Sequence, residues 1–222
     1  MVFITILITL ITSSLFAIEL PDTQTIHRQS NTNWSNIFPN AKSVILQDNW
    51  EYTINDDKSE SIENLKVVKF LTYGGMKKYE NYRISYNSHR WETELLNAYT
   101  MSPSGEITQI HDHEINYTKP GGIDGPATQY ASLSLLVISF PALEESSTVL
   151  LHWRMNSKEQ ANFPYAFDRV IADEDPVLNY SLIVKHPENI EIQPLFLNGA
   201  PEPRISRNTL TFKADTIKGY VA

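Results

Sequence analysis

The stretch His111-Asp112-His113-Glu114 is the densest run of potential metal ligands in this 222-residue chain. On an extended strand, residues i and i+2 share a face, which would set the two imidazoles about 6.5–7 Å apart. That spacing suits zinc if a third ligand, His89 or His152, arrives from a neighbouring strand, with Glu114 as the base of a metal-assisted hydrolase. The stretch follows a turn and sits among polar residues, so a solvated loop or edge strand is the simpler reading. No metal or other cofactor is expected.

A second kind of chemistry is stacking. Aromatic residues make up 11% of the chain, and Trp50, Tyr52, Tyr79, Tyr82 and Tyr86 are the expected ligand or partner surface. Standing on an exposed sheet face, they would form a platform for sugar rings. The opposing reading makes the aromatic residues core anchors. Trp91 would share a strand face with Leu95, and Trp153 with Val149 and Leu151.

Other chemistry is excluded more firmly. The absence of cysteine removes a thiol nucleophile, a CxxC zinc site and an iron–sulfur cluster. The Gly-rich loop Lys119–Pro126 lacks the order of a phosphate-binding loop, and no serine sits in a G-x-S-x-G elbow. The acidic run Asp173-Glu174-Asp175 before Pro176 reads as a solvated turn. A formal net charge of −8 disfavours nucleic acid as a partner.

The elements that must position these residues read as strands. Apolar residues alternate with period two at Val44 and Leu46, then at Trp50, Tyr52 and Ile54, and again at Leu65–Leu71 and Tyr82–Tyr86. Similar runs follow at Trp91–Tyr99, Leu133–Phe140, Val149–Met155, Leu178–Val184 and Leu210–Phe212, each bounded by turn residues such as Thr72-Tyr73-Gly74-Gly75. No window of eleven or more residues has a helical period, and only Thr32–Pro39 suggests a short helical turn. The expectation is an all-β antiparallel sandwich of about ten to twelve strands, with two lobes as an option. It occupies residues 41–222, after an N-terminal extension over 18–40.

Residues Val2–Ala17 carry no charged side chain, and Glu19, Pro21 and Asp22 restore polarity abruptly. Sixteen helical residues span about 24 Å, short of the roughly 30 Å hydrocarbon core, so residues 1–17 are read as a signal peptide rather than a transmembrane helix. Cleavage would follow Ser14 or Ala17. The protein is therefore expected to be exported, either periplasmic or extracellular.

Three stretches carry a family resemblance. The first is Lys66–Tyr86, with Lys69-Phe70-Leu71-Thr72, a Gly74-Gly75 turn and a tyrosine-rich strand. The second is Asn97–Gly105, an alanine-containing strand ending in Ser102-Pro103-Ser104-Gly105. The third is Tyr130–Trp153, with Phe140-Pro141-Ala142-Leu143-Glu144 between two apolar strands. In this order they resemble the domain of unknown function found immediately N-terminal to transglutaminase-like domains in secreted bacterial proteins of the Bacteroidetes type. The resemblance covers about residues 40–200. It departs from the family pattern at Ser146 and Ser147, where a glycine is usual.

The resemblance implies a noncatalytic accessory or interaction module. Its partner would be a transglutaminase-like domain, or an envelope protein or glycan. The cysteine-dependent apparatus of the transglutaminase-like neighbour has no counterpart here, so no catalytic residue is carried over. With the sequence stopping at Ala222, the expectation is either an accessory domain from a truncated gene or a free-standing version.

Overall fold

The computed structural model describes residues 18–119, 132–158, 165, 167–195, 200 and 202–219. The expected signal segment 1–17 and most of the loop Lys119–Pro126 lie outside them.

Three short helices come first or interrupt the strands: α1 (Thr23–Ser30), α2 (Trp34–Ile37) and α3 (Tyr73–Tyr79). The strands are β1 (Ser43–Ile54), β2 (Glu60–Phe70), β3 (Asn81–Asn87), β4 (Trp91–Met101), β5 (Ile107–Gln109), β6 (Ile115–Thr118), β7 (Leu133–Ser139), β8 (Thr148–Ser157), β9 (Tyr180–Lys185), β10 (Arg204–Ser206) and β11 (Thr209–Ala214). Eight form one sheet in the order β10-β11-β9-β1-β2-β8-β4-β5, and three form a second in the order β3-β7-β6. The all-β expectation and the strand number hold. One pairing departs from the antiparallel scheme: β1 runs parallel to β9. A parallel pair needs a long crossover rather than a tight turn, so no local signal announces it.

The large sheet is covered on both faces. On one face Val68, Phe70, Val149, Leu151 and Trp153 pack with Ile84, Leu136 and Ile138 of the small sheet, forming the main core. On the other, Val44, Leu46, Leu65, Val67, Tyr99, Met101 and Leu150 pack under Ile26 of α1, with Ile18, Trp34 and Phe38 at the margin. The extension over 18–40 thus closes the second face. Cover on both faces leaves β2 buried along nearly its whole length, its polar Glu63, Asn64 and Lys66 included.

Two β-bulges decide which face each residue meets. The β1–β2 register shifts between Ile45 and Gln47, and the β4–β8 register shifts between Leu95 and Asn97. Strict alternation would place Val44, Leu46, Trp50 and Tyr52 together. The extra residue in β1 inverts the pattern, so Val44 and Leu46 enter the second core while Trp50, Tyr52 and Ile54 enter the main one. The bulge in β4 likewise sends Tyr99 to the opposite face from Leu95.

The turn expected at Thr72–Gly75 is the start of α3. The Thr72 hydroxyl accepts from the Gly75 nitrogen at 3.2 Å and caps the helix. A Cβ at Gly75 would come within 2.2 Å of the Lys42 carbonyl oxygen, so this glycine permits a close approach between helix and chain. The acidic run is also corrected. Asp175 is buried, accepts from the Ser43 nitrogen at 3.0 Å and pairs with Lys78 at 2.9 Å, while Asp173 also pairs with Lys78 at 2.8 Å. It is a clamp between α3 and β1 rather than a solvated turn.

Each face of the large sheet also holds a buried charged group. On the main-core side, Asp48 accepts from Trp50 Nε1 at 2.7 Å and Asn64 Nδ2 at 2.9 Å, and pairs with Lys66 at 3.2 Å. On the helical side, Glu63 Oε1 accepts from His152 Nε2 at 2.7 Å and the Ile18 main-chain nitrogen at 3.0 Å. Its Oε2 accepts from Arg154 Nε at 2.9 Å and Nη2 at 2.7 Å. Both arrangements satisfy the rule that buried charge must be paired and hydrogen-bonded.

Candidate functional site

The expected aromatic platform divides. Trp50, Tyr52 and Tyr79 are 5%, 3% and 4% exposed and belong to the main core, so they present no face to a ligand. Trp50 meets Trp153 edge to face at 5.6 Å, and the Arg169 guanidinium lies 3.4 Å from its ring centroid. Tyr52 stacks on Phe167 at 4.8 Å, and its hydroxyl donates to Glu60 at 2.6 Å. Burial, followed by the Glu60 hydrogen bond, raises the Tyr52 pKa well above its ordinary value. Tyr79 packs between Phe70 and Tyr82, at 5.9 and 6.3 Å. These three are corrected from surface to core: a ring of this size gains more from burial between two sheets than from standing in water.

Tyr82 and Tyr86 remain half-buried on β3, and Tyr86 opens onto a groove. The groove lies where the end of β3, the start of β4 and the end of β8 meet, and its volume is about 310 Å³. Tyr86 and Trp91 supply its aromatic surface; Ser88, Thr93 and Asn156 are neutral polar groups; Glu92, Glu94 and Lys158 carry charge. Trp91, expected in the core, is instead half-buried here. The Arg90 guanidinium sits 5.3 Å from its ring centroid. Tyr117 of β6 ties the two sheets together beside the groove by donating to the Thr93 carbonyl at 3.4 Å. Burial, then the neighbouring Tyr86 and Glu94, raise the Tyr117 pKa.

Several polar groups of the groove already have partners within the fold. Ser88 Oγ donates to the Ser132 carbonyl at 3.0 Å, and Thr93 Oγ1 to the Arg154 carbonyl at 3.3 Å. The Ser88 and Thr93 hydroxyls are thus turned to main-chain oxygens, and no histidine is among the lining residues to act as their base. Its carboxylates face cations: Glu92 is 3.9 Å from Lys158, and Glu94 is 3.6 Å from Arg154. A second depression, about 400 Å³, lies between Thr100–Thr108 and Ala142–Glu144 and has no aromatic wall.

The histidine pair is placed differently from the expected strand. Asp112–Glu114 form a single 3-10 turn, with His111 as its cap. The two imidazoles stack with centroids 5.9 Å apart, and His113 is largely exposed. Glu114, expected as a base, accepts from the His111 nitrogen at 2.6 Å and so closes the turn. His152 is held on Glu63 in the helical face, and His89 stands exposed in the turn after β3. Among the described residues no three His, Asp or Glu side chains converge as a metal set. Among them, too, no helix is long and apolar enough to cross a membrane.

Residues 56–220 match the family model of DUF3857, a domain of unknown function with a solved structure. The chain belongs to this family. No curated protein matches the sequence. Among solved structures, a candidate protease from Parabacteroides distasonis shares the fold of the DUF3857 chain, with a TM-score of 0.68 at 16% identity over 81% of its length. The match spans only 36% of that protein, about a third. Leukotriene A4 hydrolase from yeast gives a TM-score of 0.38 at 11% identity, covering 88% of this chain and 30% of that one. A CBM3a domain from the Clostridium thermocellum scaffoldin gives 0.31 at 11% identity, covering 57% and 74%. Scores this low carry no argument about this DUF3857 chain.

Proposed function

We propose that this DUF3857 chain is an exported, noncatalytic β-sandwich module that accompanies a transglutaminase-like protein and holds an envelope glycan in the groove of Tyr86 and Trp91. The observation that carries this reading is the make-up of the groove. Two aromatic rings line the groove for a sugar to stack on, Asn156 and the acids offer hydrogen bonds around them, and the Ser88 and Thr93 hydroxyls are engaged with main-chain oxygens. The transglutaminase-like partner rests on the sequence resemblance, in which such a domain follows this one.

Calorimetric titration of the purified protein against a panel of envelope glycans tests the binding role. One class should give heat with wild type and at least tenfold weaker binding with Trp91→Ala. Silence across the panel overturns the glycan reading. Co-purification with a transglutaminase-like protein of the same organism tests the accessory role separately.

The metal-assisted hydrolase on His111, His113 and Glu114 has less support. Its base is engaged in capping, and neither His89 nor His152 approaches the pair.

A further inference from the structure

The main-chain nitrogen of Ile18 is fastened to a buried carboxylate 45 positions away. It lies 3.0 Å from Oε1 of Glu63, which is 6% exposed and also receives His152 and Arg154. The Ile18 side chain packs at the edge of the second core. Both its nitrogen and its side chain are thus engaged, one residue after the uncharged run Val2–Ala17 ends in a small residue.

This nitrogen points into a charged cluster. Glu63 and Glu94 contribute two negative charges, and Arg154, which lies against both, contributes one positive charge. A peptide nitrogen at Ile18 gives the buried Glu63 carboxylate a hydrogen bond from a neutral donor, whereas an α-ammonium there would make the donor charged as well.

We propose that Ile18 is the first residue of the mature protein: a signal peptidase cleaves the Ala17–Ile18 bond, and the new α-ammonium of Ile18 docks on Glu63. Water adds across the peptide bond, leaving Ala17 as a carboxylate, and the released Ile18 amine takes up a proton. The proposal rests on the exported reading above. It chooses Ala17 over Ser14 as the cleavage position and makes export a step that completes the helical face of the sandwich.

The test is export of the full chain, Met1 to Ala222, from a bacterial host, with the product identified by intact mass and N-terminal sequencing. It should begin at Ile18. An exported product beginning elsewhere overturns this inference and leaves the exported reading standing; a chain retained in the cytoplasm from Met1 overturns both.

Docking is read by comparison with a chain carrying Gly-Ser inserted between Ala17 and Ile18, whose processing leaves an uncharged amide at Ile18. The extended form should melt about 2–6 °C lower, and Glu63→Gln should abolish the difference. Equal melting of the two forms overturns the docking. Should Glu63→Gln fail to fold, acylation of the α-amine near neutral pH gives a second reading on the unmutated chain. The Ile18 amine should react at least tenfold more slowly than that of the extended form, and equal rates overturn the proposal.

Discussion

The aromatic residues of the interior and those of the groove are held by different forces. Trp50, Tyr52 and Tyr79 are enclosed between two sheets, and each polar atom they carry into the interior meets a carboxylate: Asp48, Glu60 or Asp175. Tyr86 and Trp91 are half-buried and line a groove beside charged groups that are already paired. The difference separates rings that hold the fold from rings available to a ligand. It follows from the number of layers covering each strand rather than from residue type.

The sharpest way to break the comparison is Trp50→Ala, which removes a ring from the main core together with its hydrogen bond to Asp48 and should cost about 3–5 kcal/mol in denaturant unfolding. A loss below 1 kcal/mol would mean the interior ring is not structural. Tyr52→Phe keeps the ring but deletes the hydroxyl that donates to buried Glu60, with an expected cost of about 1.5–3 kcal/mol.

A third test uses pH on the helical face. Burial alone would raise the Glu63 carboxyl pKa, but hydrogen bonds from His152 and Arg154 outweigh it and hold the value below its ordinary 4.5. A group whose folded value is depressed stabilises fully above its unfolded value and loses that contribution as the pH falls through the lower folded one. The unfolding midpoint of wild type should therefore fall with acid below about pH 4.5, and that of Glu63→Gln should fall less steeply. The smallest effect is expected of Trp91→Ala: a stability change within about 1 kcal/mol, alongside the loss of glycan binding.

Much of the fold is legible in the period-two pattern because each strand shows at least one consistently covered face. The face itself is not legible where a bulge intervenes. Nothing at Leu46 or Leu96 distinguishes an extra residue from a paired one, and only pairing with β2 and β8 reveals the inversion. For the same reason Trp50 and Tyr52 read as part of a ligand surface in the sequence and are core in the structure. Helix α3 was hidden because Gly74-Gly75 reads as a turn until the close passage of Lys42 is seen. The groove was half visible: Tyr86 was singled out, while Trp91 was assigned to the core on its spacing with Leu95. Its flanking Arg90, Glu92 and Glu94 are the signal that it sits at a wet boundary.

The parallel partnership of β1 and β9 sets an order of events. Ser43 and Asp175, joined by a hydrogen bond, are 132 positions apart, so the centre of the large sheet waits for a strand near the end of the chain. Until β9 arrives, one side of β1 is an unpaired edge, and joining such distant segments slows folding through the entropy of closing the loop. A chain that remains open this long stays threadable, as the export proposed above would require.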